Sequence, residues 1–249
     1  YWGDHQLAYL IKLLEWSRAH HPSRLEGLLR EPRFVYADVP YDIAPYEELL
    51  RDPRDSITYN RDREARIEAR VEALGLDGRY LPGPDGEILR ANLTEKLLVP
   101  LLAKLGNFVP GAGFWMNTQR PEWNDANNAL AGYGASMVTL FYARRYVAFC
   151  LELFEALGEE QVDLHQEVAA WLEGTHGALE EHGAHLRDDA VAGAAGDGAR
   201  KAVLDRLGRV SGDYRAALYA AGLSGQMRSV AAERIRSFLA ATLEVLDHT

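Results

Sequence analysis

The chain is predicted to be almost all-α, its helices arranged in succession as an α/α toroid or a bundle. Three observations predict this. Apolar residues recur at i, i+3, i+4 and i+7 spacing, as at Leu7, Leu10, Ile11 and Leu14. Glycines such as Gly75 and Gly106 stop the periodic runs, as helix ends require. The connections alternate between short and elaborate, the pattern of successive helical hairpins.

The elements follow in order. Asp4 is placed to cap the first helix. His20-His21 before Pro22 reads as its C-terminus, where positive charge is favoured. Residues 33–60 carry Pro40, Pro45, Pro53 and several tyrosines, and read as a long irregular connection of the kind that is often functional. A charged helix spans about 61–74 and ends at Gly75. Tyr80-Leu81 and Ile88-Leu89 flank Pro82-Gly83-Pro84-Asp85-Gly86, a small β-hairpin excursion. Thr94 is expected to cap an apolar helix to about 105, which Pro100 either kinks or begins. Residues 130–157 form the strongest helix; Met137, Val138, Phe141, Tyr142, Val147 and Phe149 cover much of its surface, so it should be largely buried. Three further helices are expected at about 164–182, 199–221 and 226–246, the last capped by Ser224. Residues 190–198, rich in Ala and Gly, read as a flexible connector within a single domain over 1–249.

Composition limits the function. The 249 residues are 47% hydrophobic, enough for a sizeable core. Lys and Arg number 27 against 37 Asp and Glu, a formal charge of -10, which argues against nucleic acid or an anionic membrane as partners. The single Cys150 lies in an apolar run and allows no internal disulfide, fitting a reducing, cytoplasmic setting. No apolar run is long enough to span a membrane. The chain opens on Tyr1-Trp2-Gly3-Asp4-His5-Gln6 without a Met, which reads as a segment of a longer protein whose remainder is a partner. Asn92-Leu93-Thr94 matches a glycosylation sequon.

Gly113 to Ser136 carries the chemistry: G-F-W-M-N-T-Q-R-P-E-W-N-D-A-N-N-A-L-A-G-Y-G-A-S. Tryptophans, an arginine, acids and amides crowd a stretch with neither helical nor strand period. As a core this is poor, because every buried polar group needs a partner. As a sugar site it is good: indoles stack on pyranose faces, amides and arginine bind hydroxyls, and carboxylates move protons. Asp125 beside Trp123 is the candidate general acid, since an apolar wall raises a carboxyl pKa and Glu122 adds like-charge pressure. In a purely structural reading Asp125 caps the following helix and Trp123 staples it. That reading leaves Trp115, Asn117, Gln119, Arg120, Asn127 and Asn128 unexplained.

Glu122-Trp123-Asn124-Asp125-Ala126-Asn127-Asn128, followed by Gly132, Gly134, Ser136 and an aromatic-rich helix, resembles the signature loop of the inverting disaccharide phosphorylases. These are the cellobiose and chitobiose phosphorylase type of six-hairpin enzymes, and the phrase fits their broader relatives better still. Gly3-Asp4-His5-Gln6-Leu7 is similar to that family's Ser-Asp-Asp-x-Leu-Trp-Leu segment, with His5 where the family has its second Asp. The resemblance covers about forty residues. It implies an (α/α)6 barrel, of which this chain would be an incomplete portion. It further implies Asp125 as general acid, Trp123 beside the sugar of the cleaved bond, and Asp4 gripping hydroxyls. The family's sugar-binding arginine and its later catalytic and phosphate-binding residues would fall outside residues 1–249.

The expected function is therefore that of a glycoside hydrolase or phosphorylase acting on an oligosaccharide or disaccharide, without a cofactor or metal. A phosphorylase would let inorganic phosphate attack directly. A hydrolase needs a second carboxylate about 6.5–9.5 Å from the acid, and Glu122 is the candidate within the chain. Asp4, His5, Trp115, Asn117, Arg120, Trp123, Asn127 and Asn128 are the expected sugar-binding residues. The alternative is a non-catalytic helical scaffold or a sugar-binding module. Elsewhere the plain readings prevail. His176, His182 and His185 with Glu181 read as solvated rather than metal-binding. Arg144 and Arg145 should pair with acids, and Cys150 should sit in the core. Gly132-Tyr133-Gly134 lacks the strand and Lys of a phosphate loop. Tyr36, Tyr41, Tyr46 and Tyr59 either floor a cleft or pack a covering loop.

Overall fold

A computed structural model of the chain describes residues 4–116, 131–158, 160–186 and 194–249; residues 4–5, 182–186 and 194–195 are described by backbone alone. The described residues are mostly helical, with nine α-helices and four small antiparallel sheets. At the centre lie α5 (Leu93–Leu105) and α6 (Met137–Phe154). Leucines at 93, 97, 98, 101, 102 and 105 bury nearly the whole of α5, and each fully buried leucine is worth about 1.5–3 kcal/mol. Pro100 lies within α5, which runs unbroken through it. The hydroxyl of Tyr146 on α6 donates to the Leu97 carbonyl at 2.8 Å, so the one polar atom of a sealed ring is satisfied.

Around this pair the helices have a readable direction. α1 (Asp4–His20) runs parallel to α6. Lys12 sits near the Tyr142 ring, Glu15 accepts two bonds from Arg145, and Arg18 reaches both Glu152 and the face of Phe149. α9 (Ala232–Asp247) runs antiparallel to α6, with Asp247 on Arg144 and Arg236 on the carbonyl of Gly158. α7 (Gln166–Leu186) and α8 (Ala194–Ala221) form an antiparallel pair closed by Trp171. Its ring stacks on Tyr214 with centroids 4.0 Å apart, and its indole N–H donates to Ser211.

The remaining elements bind the helices together. α2 (Pro22–Leu28) follows α1, and α4 (Arg61–Leu74) ends where Gly75 takes φ 69°. The connection 33–60 is less irregular than expected. It contains β1 (Phe34–Val35), β2 (Tyr41–Ile43), α3 (Tyr46–Arg51) and β3 (Ile57–Tyr59). β1 pairs with β4 (Arg90–Ala91), and β2 pairs with β3. As a whole the connection is a strap along α8: Ile43 N–H donates to Tyr219, and the Tyr46 hydroxyl donates to Asp205 at 2.7 Å. The buried Tyr46 ring lies so close to α8 that a Cβ at Gly208 would fall 2.2 Å from it.

Several expectations are met. α1 buries Leu7, Ile11 and Leu14; α4 has the predicted bounds; the 80–89 hairpin forms, with Leu89 N–H bonded to the Leu81 carbonyl. Arg144 and Arg145 are paired and Cys150 is buried.

Others are corrected. Met137, Val138 and Phe141 are exposed, because they lie on the face of α6 turned away from the core; Leu140 and Ala143, on the other face of the same turns, are buried with Val147 and Phe149. Asn92, not Thr94, caps α5: its side chain accepts from Glu95 N–H, while the Thr94 hydroxyl donates to Leu29. Asn92 is itself buried and donates to the Asp163 carbonyl, so the sequon is closed to a glycan in the folded protein. Ser224 does not cap the last helix, because β8 (Gln161–His165) pairs with β9 (Met227–Ala231) where that helix was expected to start. α8 begins at Ala194, inside the predicted connector.

The contact between Tyr46 and α8 gives a direct test. Gly208→Ala should cost about 1–3 kcal/mol in urea unfolding, since a methyl must displace a packed ring. Gly177→Ala, where a Cβ meets nothing within 4 Å, should be neutral or stabilising by up to about 1 kcal/mol.

Candidate functional site

The residues that flank 117–130 belong to a small sheet. β5 (Phe108–Val109), β6 (Gly113–Trp115) and β7 (Ala135–Ser136) pair in that order, with Phe114 opposite Ser136 and Trp115 opposite Ala135. Beyond the strands, Met116 N–H donates to the Gly134 carbonyl and Gly132 N–H to the Met116 carbonyl at 2.6 Å. The residues on either side of 117–130 are thereby fixed side by side. Ser136 then turns the chain into α6, its hydroxyl accepting from Thr139 N–H.

Trp115 is half-buried and its indole N–H donates to the Gly132 carbonyl at 3.2 Å, which locks the ring against the stem. Tyr133 is exposed and lies under the Arg54 guanidinium, 4.8 Å from its ring centroid. A Cβ at Gly132 would touch Pro53 and Arg54, so the far end of the strap closes on this stem.

Of the sequence-predicted site residues, Trp115 alone is described with its side chain. Asp4 and His5 are described as the first residues of α1. Asn117, Arg120, Glu122, Trp123, Asp125, Asn127 and Asn128 lie outside the described residues. The parallel packing of α1 on α6 has a consequence for them. Lys12 meets Tyr142 and Glu15 meets Arg145, a constant offset of 130 residues, which puts the start of α1 level with the start of α6. Asp4, Trp115 and Tyr133 therefore share one end of the molecule.

The start of α5, one turn from where the Leu97 carbonyl accepts from Tyr146 at the middle of α6, holds a buried polar network that sequence reasoning missed. Glu95, fully buried at the start of α5, accepts from the Tyr36 hydroxyl at 2.7 Å and from the backbone N–H of His165 at 2.7 Å. Its carboxyl also meets His165 Nδ1 at 2.8 Å. Lys96 covers the face of Tyr36 and donates to the Val35 carbonyl. Burial alone would lower the His165 pKa, but the hydrogen bond and charge of Glu95 outweigh it, with Glu167 adding in the same direction, and the ring is raised above its usual value. With both carboxyl oxygens occupied, this network ties α5, β1 and β8 together. The only sequence signal was an acid and a lysine inside an apolar helix, with the partner histidine 70 residues away.

His176 also departs from expectation. It is buried, not solvated, with its edge toward Phe238 and Nδ1 unpaired, and burial with the Arg234 charge lowers its pKa. Side chains of His182 and His185 lie outside the described residues; among those described, no cluster of three or more His, Cys, Asp or Glu is arranged to hold a metal.

No known family model matches the chain, and no curated protein is significantly similar to it.

The two histidines have opposite effects on stability. His165, with its raised folded pKa, adds stability that is complete below about pH 6.5 and lost as pH rises through the folded value. His176, with its lowered pKa, binds a proton less readily folded than unfolded, so its effect is a loss of stability as pH falls below about 6.5. In an NMR titration His165 should therefore change charge at higher pH than His176. Glu95→Gln should lower the His165 pKa, because burial is then opposed only by the charge of Glu167.

Proposed function

We propose that the chain is part of a carbohydrate-active enzyme, an inverting glycoside hydrolase or phosphorylase in which Asp125 is the general acid. Its helices would form a portion of an α/α toroid, with the substrate at the end that carries Asp4, Trp115 and Tyr133. One observation supports this reading above others: the level start of α1 and α6. Of the residues that carry the resemblance to the disaccharide phosphorylases, Asp4 begins α1, and Gly132, Gly134 and Ser136 lead into α6, so the described ones meet at the same end although they are far apart in sequence. A core helix pair built for stability alone has no need of that coincidence.

In the proposed reaction Asp125 protonates the glycosidic oxygen as the bond to the anomeric carbon breaks through an oxocarbenium-like state. Trp123 and Trp115 offer apolar faces to the sugar, and Asp4, His5, Asn117, Arg120, Asn127 and Asn128 bind its hydroxyls. Water activated by a second carboxylate, Glu122 within this chain, completes hydrolysis; phosphate completes phosphorolysis. No cofactor or metal takes part.

The second reading, a non-catalytic scaffold or sugar-binding module, draws on a different observation. Tyr9, Leu13 and Trp16 form an exposed stripe along α1, with Leu13 and Trp16 each 69% exposed, and Val138 and Phe141 are exposed on the neighbouring α6. Apolar surface of this kind marks sites of association.

Assay of the full-length protein against a glycan panel, with and without phosphate, separates the two. The enzyme reading expects turnover that falls about 10²–10⁴-fold in Asp125→Asn. Undiminished turnover in that variant removes Asp125 as the acid, and no turnover by the parent favours the module.

A further inference from the structure

The described arginines divide cleanly, with one exception. Those turned away from solvent are held by an acid: Arg63 by Asp42, Arg70 by Asp38 and Arg236 by Glu233. Those without an ion pair among the described residues are exposed, except Arg215. Arg215 lies on α8 facing the strap, largely removed from water, and its Nε is buried without a hydrogen-bond partner. Taking a charge out of water without a partner is costly. In a protein of formal charge -10, acids to pair with it are plentiful, so its isolation needs a cause.

A second unfilled donor stands one turn along the same helix. The Tyr219 hydroxyl accepts from the backbone N–H of Ile43 at 3.0 Å, and no described group accepts its own proton. Arg215 and Tyr219 are within electrostatic reach of each other. Arg63 lies over the Tyr219 ring, 5.4 Å from its centroid. The nearby carboxylate, Asp42, is already taken up by Arg63 and by the Asn60 amide. Gly212, three residues before Arg215, packs on the strap: a Cβ there would lie 3.7 Å from the Tyr46 Cβ and 4.0 Å from Arg215 Nη2.

We propose that Arg215 and Tyr219 form a binding site for a small oxyanion, a phosphate or a carboxylate, at the seam between α8 and the β2–β3 strap. The guanidinium supplies charge and N–H donors on one side, and the phenol supplies a single O–H donor on the other. A bound oxyanion would satisfy both at once and would tie the strap to α8. The site is far from the Trp115 stem and is independent of the glycosidic reading.

The test uses inorganic phosphate and malonate as probes at constant ionic strength, with chloride as the control. Thermal melting and the Arg215 Nε–H resonance are followed together. The proposal expects a saturable shift of that resonance and a rise in melting midpoint with one of the two probes. Arg215→Gln should abolish both effects, Tyr219→Phe should weaken binding at least tenfold, and the exposed Arg206→Gln should leave it unchanged. Saturation by phosphate assigns a phosphate, and saturation by malonate alone assigns a carboxylate. Without either anion, Arg215→Met should raise the midpoint, because an uncompensated charge is removed; a packing role would lower it. A response that never saturates, matches chloride or persists in Arg215→Gln overturns the site.

Discussion

The seam between α1 and α6 constrains everything proposed for this protein. Its ion pairs, Glu15 with Arg145 and Arg18 with Glu152, are solvent-exposed and worth about 0–1 kcal/mol each. The burial of Leu7, Ile11 and Leu14 in the common core outweighs them, at about 1.5–3 kcal/mol per side chain. The ion pairs matter for register. By fixing residue 15 against residue 145 they bring the first residues of α1 level with the β5–β6–β7 stem. A slip of one turn would separate them by about 5.4 Å, beyond the reach of a single sugar hydroxyl.

The start of α5 and the Trp115 stem use polar residues differently. Around Glu95 the groups are spent on each other: Glu95, His165 and Tyr36 close a network between elements distant in sequence. A buried acid of this kind, once partnered, specifies which surfaces meet, and removing one partner leaves the others stranded. At the Trp115 end the chain leaves a tied stem with its aromatic Tyr133 in solvent. Groups already satisfied hold a fold; groups presented at a stem are available to a ligand.

Much of the helical layout was legible because local signals and tertiary demands agreed. α4 starts at its capping Asn60 and stops at Gly75, as its own residues dictate. Local reasoning failed where distant partners decided the outcome. Thr94 looks like a cap, but the carbonyl of Leu29 takes its hydroxyl and Asn92 takes the capping role. Ser224 stands before a helical run, yet pairing of β9 with β8 holds residues 227–231 in a strand and delays the helix. The apolar residues of α6 predicted a helix buried on most of its surface, whereas one face of its first turns, Met137, Val138 and Phe141, is left in solvent. At the candidate site the pairing of β6 with β7, which brings residues 113–115 beside 135–136, was not legible from the sequence, because the partners lie some twenty positions apart. The Glu95 network has no signature within a window of residues, since Tyr36 and His165 lie 59 and 70 positions from Glu95, and a missing partner such as that of Arg215 leaves none either.

The central claim is that the starts of α1 and α6 together frame a sugar site. Adding cellobiose or chitobiose to the isotopically labelled full-length protein tests it directly. The account predicts that the Trp115 indole N–H and the backbone signals of Asp4 and His5 shift together with one binding constant, while His165 stays unmoved. Shifts confined to the Glu95–His165 network, or a Trp115 signal that moves without Asp4 and His5, would contradict it.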